Sequence, residues 1–270
     1  MKILMKRITN TGKSGLLLLL LLLASGAPKG GMAPVAMAEG RWEEQSAEQS
    51  GDDSAMENPE YGLVSNSSSP NRMRETIDTT GNAGYMTRTE RDVVIEINMM
   101  RTDPARYAQH YLAPLRSLYQ GNLLRFPGKT PIMTSEGRSA LDECIRELEH
   151  TRPVSSLAPS KGLKLAARDH THDQGRTGSI GHTGSDGSSA TSRISRYGQW
   201  DLSAGENISY GYREARKIVM ALLIDDGVSS RGHRKNLLNN SFRFVGVDIG
   251  PHRVFGDMCV MDFAGGYTSN

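Results

Sequence analysis

Apolar residues recur at helical spacing in four stretches of the chain. In "TERDVVIEINMMRTDPARYAQHYL", Val93, Val94, Ile97 and Met100 fall on one face. Thr89 is the expected cap, "RTDP" the expected turn, and Pro104 suits the first turn of a short helix that follows. "SEGRSALDECIRELEHT" sets Leu141, Cys144, Ile145 and Leu148 along a second face, and "SKGLKLAARDHTHDQGRTG" predicts a third helix that starts near Ser160 and is ended by glycines. "EARKIVMALLIDDG" turns Ile218, Val219, Leu222 and Leu223 inward, with Gly227 as the expected stop. The period then changes. "FRFVGVDIG" and "VFGDMCVMDFAG" read as strands joined at "GPHR" in a hairpin. Helices first and antiparallel strands last predict an α+β fold rather than a parallel α/β one.

Residues 1–84 carry none of this patterning. "MKILMKRITNTGK" is a basic start, the eight leucines Leu16 to Leu23 form an apolar run, and "AMA" at Ala36 to Ala38 matches a small-residue cleavage site. The apolar run falls well short of the ~20 residues that span a bilayer. Residues 1–38 are therefore expected to be a signal peptide, leaving no transmembrane segment after its removal and a secreted or extracytoplasmic protein. Residues 39–84, rich in Glu, Asp, Ser, Asn and Gly, are expected to be a disordered acidic linker, because such a composition buries too little apolar surface to offset ordering entropy. Residues 85–270 would then be the folded domain.

Charge narrows the partners. The formal net charge is +2, but Lys2, Lys6, Arg7, Lys13 and Lys29 all lie in the leader, so the remainder is net acidic. That argues against a nucleic-acid or membrane binder held by electrostatics. The two cysteines, Cys144 and Cys259, could pair in an exported protein or stay as buried thiols, and spacing does not decide between these.

Four blocks hold chemistry-bearing side chains: "IGHTGSDG" with His182, "GENISYG" with Glu206, "LLIDDG" with Asp225 and Asp226, and "RGHRKNLL" with His233. Neutral imidazole and carboxylate are good donors for zinc and similar divalent ions. The blocks fit no compact metal signature, so capping and turn roles are equally consistent with spacing alone. His170 and His172 stand two apart on a helix and cannot share a face; His170 reads as inward and His172 as solvent-facing. Asp186 reads as a turn residue, since "GSDGSS" lacks the acidic spacing of a calcium loop. Arg231, Arg234 and Lys235 read as a solvated basic face around His233. Ser209 has no nucleophile-elbow context.

Taken in order, "EINMMRTDPARYA", "GHTGSDG", "GENISYG", "LLIDDG" and "RGHRKNLLNNSFRFVGVDIG" resemble the CAP superfamily, also called the SCP or pathogenesis-related-1-like domain, in its bacterial form. The resemblance spans Thr89 to Phe263. It implies a three-layer α-β-α sandwich with a central antiparallel sheet and a cleft tetrad of His182, Glu206, Asp225 and His233. Asp225 stands where the family carries Glu, and Asp226 is the alternative one residue on. The resemblance further implies His182 and His233 as direct ligands of a divalent, zinc-like metal, with waters completing the shell and the acids orienting the rings. Asn207 would hold the Glu206 loop, and the flanking glycines would let that loop present the acid. The function expected on this basis is an exported binding module for a lipid or other surface ligand. The alternative is a metal-assisted, protease-like hydrolase with Glu206 as general base.

Overall fold

The computed structural model describes residues 77–81 and 83–270. The expected signal peptide and nearly all of the expected acidic linker lie outside the described residues. Packing reaches further back than Tyr85, where the sequence pattern starts. Thr80 and Ala83 are buried, Thr79 Oγ1 donates to the Leu157 carbonyl, and Asn98 Nδ2 donates to the Ile77 carbonyl. Two threonines and an alanine supply too little apolar signal for this edge of the domain to show in hydropathy.

Helix α1 (Arg88–Thr102) is capped by Thr87, not Thr89. The Thr87 hydroxyl accepts from the Glu90 N–H while the Glu90 carboxylate accepts from the Thr87 N–H, a reciprocal capping box. Asp103 caps the short α2 (Pro104–Tyr107). The chain then passes through a π turn and a 3-10 turn into a small antiparallel sheet of β1 (Tyr119–Gln120), β2 (Leu123–Leu124) and β3 (Ile132–Met133). Helix α3 (Arg138–His150) buries the four residues its period selects, Leu141, Cys144, Ile145 and Leu148. After β4 (Ala158–Pro159) comes α4 (Lys161–Thr177), ended by Gly178 in the left-handed conformation. Next are the short α5 (Ala190–Ile194), β5 (Gly198–Tyr210), α6 (Ala215–Ile224), α7 (Gly232–Leu238), β6 (Phe244–His252) and β7 (Gly256–Ser269).

The larger sheet runs β4-β6-β7-β5. Its three long strands are antiparallel, while the two-residue β4 joins β6 in parallel, so the sheet is antiparallel except at that margin. The turn of the last hairpin is Arg253 to Phe255, because Gly250, Pro251 and His252 continue β6 rather than turning. Side chains of β7 alternate between two cores, as the twofold repeat of a strand requires. Cys259, Met261 and Phe263 join Val245 and Val247 against α1, α3, α6 and α7. Met258, Val260 and Ala264 face α4 with Ile208 and Tyr210. Helices cover both faces, which makes the domain a three-layer α-β-α sandwich.

The α4 layer lies unusually close to the sheet. A Cβ built on Gly246 of β6 would stand 2.1 Å from the Leu163 carbonyl carbon and 2.1 Å from the Lys164 nitrogen. Only hydrogen fits there, so the helix backbone rests directly on the strand. Lys164, at the same crossing, bonds to Glu90 at 2.6 Å and to Asp248 at 2.7 Å. Cys144 and Cys259 are free and buried within one apolar cluster.

Candidate functional site

Glu206 sits on strand β5, not on a loop. Its register partner is Asp262 of β7, and it shares the α4-facing side of the strand with Ile208 and Tyr210. Gly205 serves close approach rather than a turn. A Cβ there would meet the Phe242 ring at 3.0 Å and Asn236 Oδ1 at 3.3 Å. The turn comes only at Gly211, whose φ is +88°.

Both oxygens of the buried Glu206 carboxylate are engaged. Oε1 meets His182 Nδ1 at 2.8 Å and Oε2 meets Arg193 Nη2 at 2.7 Å. Arg193, almost fully buried on α5, also donates from Nη1 and Nη2 to the His182 carbonyl, both at 3.2 Å, and from Nη1 to the Ser188 carbonyl at 2.9 Å. The residue before His182 is gripped as well. The Gly181 N–H donates to Tyr210 Oη at 3.0 Å, and its carbonyl accepts from His170 Nε2 at 2.8 Å and from Gln174 Nε2. His170 is thus inward and structural, and His172 is exposed. Burial would raise the Glu206 pKa, but the His182 hydrogen bond and the Arg193 guanidinium outweigh it and hold the group below the ordinary glutamate range. Asp262 behaves oppositely. Burial and the neighbouring Glu206 charge push its pKa well above the usual aspartate value. Neither of its oxygens makes a hydrogen bond of ordinary geometry, although Glu206 lies close enough to raise it further.

The second pair forms where α6 stops. The helix ends at Ile224, three residues before Gly227, because Asp225 itself takes the left-handed conformation with φ +54°. This orientation lets Asp225 Oδ1 meet His233 Nδ1 at 2.7 Å and Oδ2 accept the His233 backbone N–H at 2.9 Å. Asp225 rather than Asp226 is therefore the acid beside His233. Asp226 instead accepts from the Ser135 and Glu136 backbone N–H groups, each at 2.7 Å, and anchors the segment before α3. Arg231 and Arg234 are buried rather than solvated. Arg231 binds Glu136 and Glu143, each at 2.7 Å, and Arg234 binds Glu147 at 2.7 Å. Hydrogen bonding from Arg231 brings the Glu143 pKa down to about 2. Lys235 alone of the three is exposed.

The four implied cleft residues thus form two hydrogen-bonded pairs, His182 with Glu206 and His233 with Asp225. Asn207 and Asn236 link them. Asn207 Nδ2 donates to the His233 carbonyl at 3.0 Å and Asn236 Nδ2 donates to the Glu206 carbonyl at 3.3 Å, while the two amides bond each other at 2.9 Å. The imidazoles differ in access. The His182 side chain is 41% exposed and that of His233 only 7%. Both acids spend their oxygens within the protein, and among the described residues no group of three or more His, Cys, Asp or Glu is arranged to hold a metal. Each acid is thus placed to orient an imidazole and not to close a metal centre with its own oxygens.

Sequence reading missed Arg193, Asp262 and Asn236. "SRISRYG" reads as polar surface, and only its partners explain a buried arginine there. Asp262 did leave a signal, an acid at a buried parity position inside "MCVMDFAG".

The family model described as the cysteine-rich secretory protein family (CAP) matches residues 121–263. No protein of curated function matches the chain. Among solved structures, an outer surface protein from Borrelia burgdorferi is 23% identical over 41% of this chain and 78% of that one, with a TM-score of 0.36. An extracellular protein containing an SCP domain from Bacillus anthracis is 25% identical over 46% of this chain and 37% of its own, with a TM-score of 0.34. A cysteine-rich secretory protein from Staphylococcus aureus is 16% identical over 47% of this chain and 38% of its own, with a TM-score of 0.30.

Proposed function

The chain belongs to the cysteine-rich secretory protein (CAP) family, and from that premise we propose that it is an exported ligand-binding module rather than a hydrolase, with His182 and His233 as its recognition groups. The observation that carries this reading is the commitment of both carboxylates. Glu206 has one oxygen on His182 and the other on Arg193, and Asp225 divides its oxygens between the ring and the backbone of His233. A general base must have an oxygen within reach of the proton it removes. Every oxygen of both acids already faces a donor within the protein, and both acids are placed to orient an imidazole.

The basic start and the Leu16 to Leu23 run, read as a leader, support export. A divalent, zinc-like ion would take His182 and His233 as its protein donors, and when bound it would supply a cationic point that attracts an anionic or oxygen-rich ligand. The partner class that follows is a lipid headgroup or another surface molecule of the exterior. Zinc calorimetry on the wild type and on the His182→Ala, His233→Ala double variant tests the imidazole role. Saturable heat is expected only from the wild type, and equal heats would overturn it. Ester or peptide turnover by the wild type that is abolished in Glu206→Gln would favour the hydrolase instead.

A further inference from the structure

We infer that the cleft between helix α4 and the turn at residues 184–188 is a second binding site, and that it takes a neutral, polyhydroxylated ligand the size of one sugar ring. None of His182, Glu206, Asp225 and His233 lines it, so it does not depend on the reading of the histidine pairs.

Its first wall is one face of α4. Asp169, His172, Asp173 and Arg176 recur at helical spacing, and all four line the cleft. The facing wall is the turn, closed by the Gly184 N–H on the Ser188 carbonyl at 2.9 Å and the Gly187 N–H on the Gly184 carbonyl at 2.8 Å. Asp173 holds turn to helix. Its Oδ2 accepts the Ser185 N–H at 2.6 Å, and its Oδ1 accepts the Ser185 hydroxyl. Arg196 ties the same walls at their edge, donating to Asp169 at 3.0 Å and to Asp186 at 2.8 Å. The space so fixed is about 320 Å³, close to the lower end of the roughly 300–1,000 Å³ of small-molecule sites. Both walls are held before any ligand arrives, which leaves little ordering for the ligand to impose.

The lining names the chemistry. No aliphatic, Phe, Tyr or Trp side chain borders the cleft, so a lipid tail finds nothing there to pack against. Asp169, Asp173 and Asp186 stand against Arg176, Arg193 and Arg196, so neither an anion nor a cation meets a wall of one sign. Among the described residues no group of three or more His, Cys, Asp or Glu is arranged to hold a metal. What remains is a ligand that donates and accepts many hydrogen bonds without carrying charge. Vicinal hydroxyls do this.

The protein leaves capacity for such bonds. A carboxylate offers about four lone-pair positions. Asp169 meets Arg196 and the Tyr197 hydroxyl, and Asp186 meets the Ser188 N–H and Arg196. Unlike the buried Glu206 and Asp225, these acids stand partly open, with side chains 26% and 56% exposed, so their further positions are within reach. Arg176 spends only its Nε within the protein, on the His172 carbonyl at 3.2 Å. At the floor, the buried His170 and Arg193 each keep a nitrogen, Nδ1 and Nε, with no hydrogen-bond partner. Unpaired groups at such depth are uncommon, and both of these residues border this cleft.

The test is a 1H–15N titration of the full chain with glucose, N-acetylglucosamine and ribitol, read at the amides of Ser185, Asp186 and Ser188. At least one of the three is expected to shift these amides saturably, with a dissociation constant of roughly millimolar order. Arg176→Ala, at an exposed position, is expected to weaken that binding about tenfold or more. The His182→Ala, His233→Ala double variant is expected to bind the sugar as the wild type does, so a failed zinc titration leaves this site standing and a failed sugar titration leaves the histidine reading standing. A methyl glycoside that binds as well as its free sugar marks the end of a glycan as the source, and one that does not bind marks the free sugar; either supports the site. No saturable shift with any of the three, a shift unaltered by Arg176→Ala, or a response confined to inorganic phosphate or glycine would overturn the proposal.

Discussion

His233 and Asp225 are joined twice, ring to carboxylate at 2.7 Å and backbone N–H to the other carboxylate oxygen at 2.9 Å. The second bond ties the first turn of α7 to the residue that caps the end of α6. The left-handed backbone of Asp225, which is uncommon away from glycine, is what allows both contacts. Asp225→Asn keeps a side chain that tolerates this backbone but removes the charge, and Asp225→Ala removes the acceptor as well. Urea unfolding is expected to show a loss of about 1–2 kcal/mol for the first and about 3 kcal/mol or more for the second. Equal losses would mean that a neutral acceptor contributes nothing and that the charge carries the whole effect.

Asp262 gives stability a distinct pH dependence. Its folded pKa lies above its unfolded value, so its contribution is fully present below the unfolded pKa and is lost as pH rises through the folded one. Glu206 has the opposite sign. Its contribution is present above the unfolded pKa and is lost as pH falls through the lowered folded value. Asp262→Asn should therefore gain stability relative to the wild type as pH rises from 4 to 8, measured by urea unfolding at both ends. A constant difference between the two proteins would show that Asp262 is ionised alike in folded and unfolded chains.

Gly246→Ala tests the contact of α4 with the sheet. The added carbon would stand 2.1 Å from two backbone atoms of α4, neither of which can swing aside as a side chain can. Overpacking of this kind is expected to cost about 3 kcal/mol or more, or to prevent folding. A melting temperature within a few degrees of the wild type would show that the helix can lift from the strand.

Arg101 is fully buried, and the acceptors its guanidinium meets are carbonyls. It donates to those of Ser155 at 2.8 Å, Leu237 at 2.7 Å, Asn239 at 3.1 Å and Phe242 at 3.4 Å. It thereby closes the C-terminal end of α7, the helix that carries His233. Burial, followed by the Arg243 charge, lowers its pKa to about 10. Arg101→Met leaves several buried carbonyls without donors, and a loss of about 3 kcal/mol is expected in chemical denaturation.

The two thiols should be inert in the native state. Burial pushes the Cys144 pKa up to about 12 and that of Cys259 well above its ordinary range, so little thiolate forms near neutrality. A thiol reagent is expected to react with neither cysteine in native protein and with both in denaturant. A reductant should leave the melting temperature unchanged.

Local patterning settled the helices. Val93 to Met100, Leu141 to Leu148 and Ile218 to Leu223 are buried as their spacing requires, because a 3.6-residue period is written in neighbouring positions. The ordered blocks also brought Asp225 and His233 into view as partners. Strand β5 was not legible, since its inward residues include Glu206, Asn207 and Ser209, and a strand whose buried positions are polar shows no apolar alternation. Only the tertiary structure decided that Glu206 faces Arg193 and Asp262. A buried arginine and an exposed one look identical in sequence. What distinguishes them is the set of acceptors that folding brings from distant segments, here the Glu206 carboxylate of β5 and the carbonyls of His182 and Ser188.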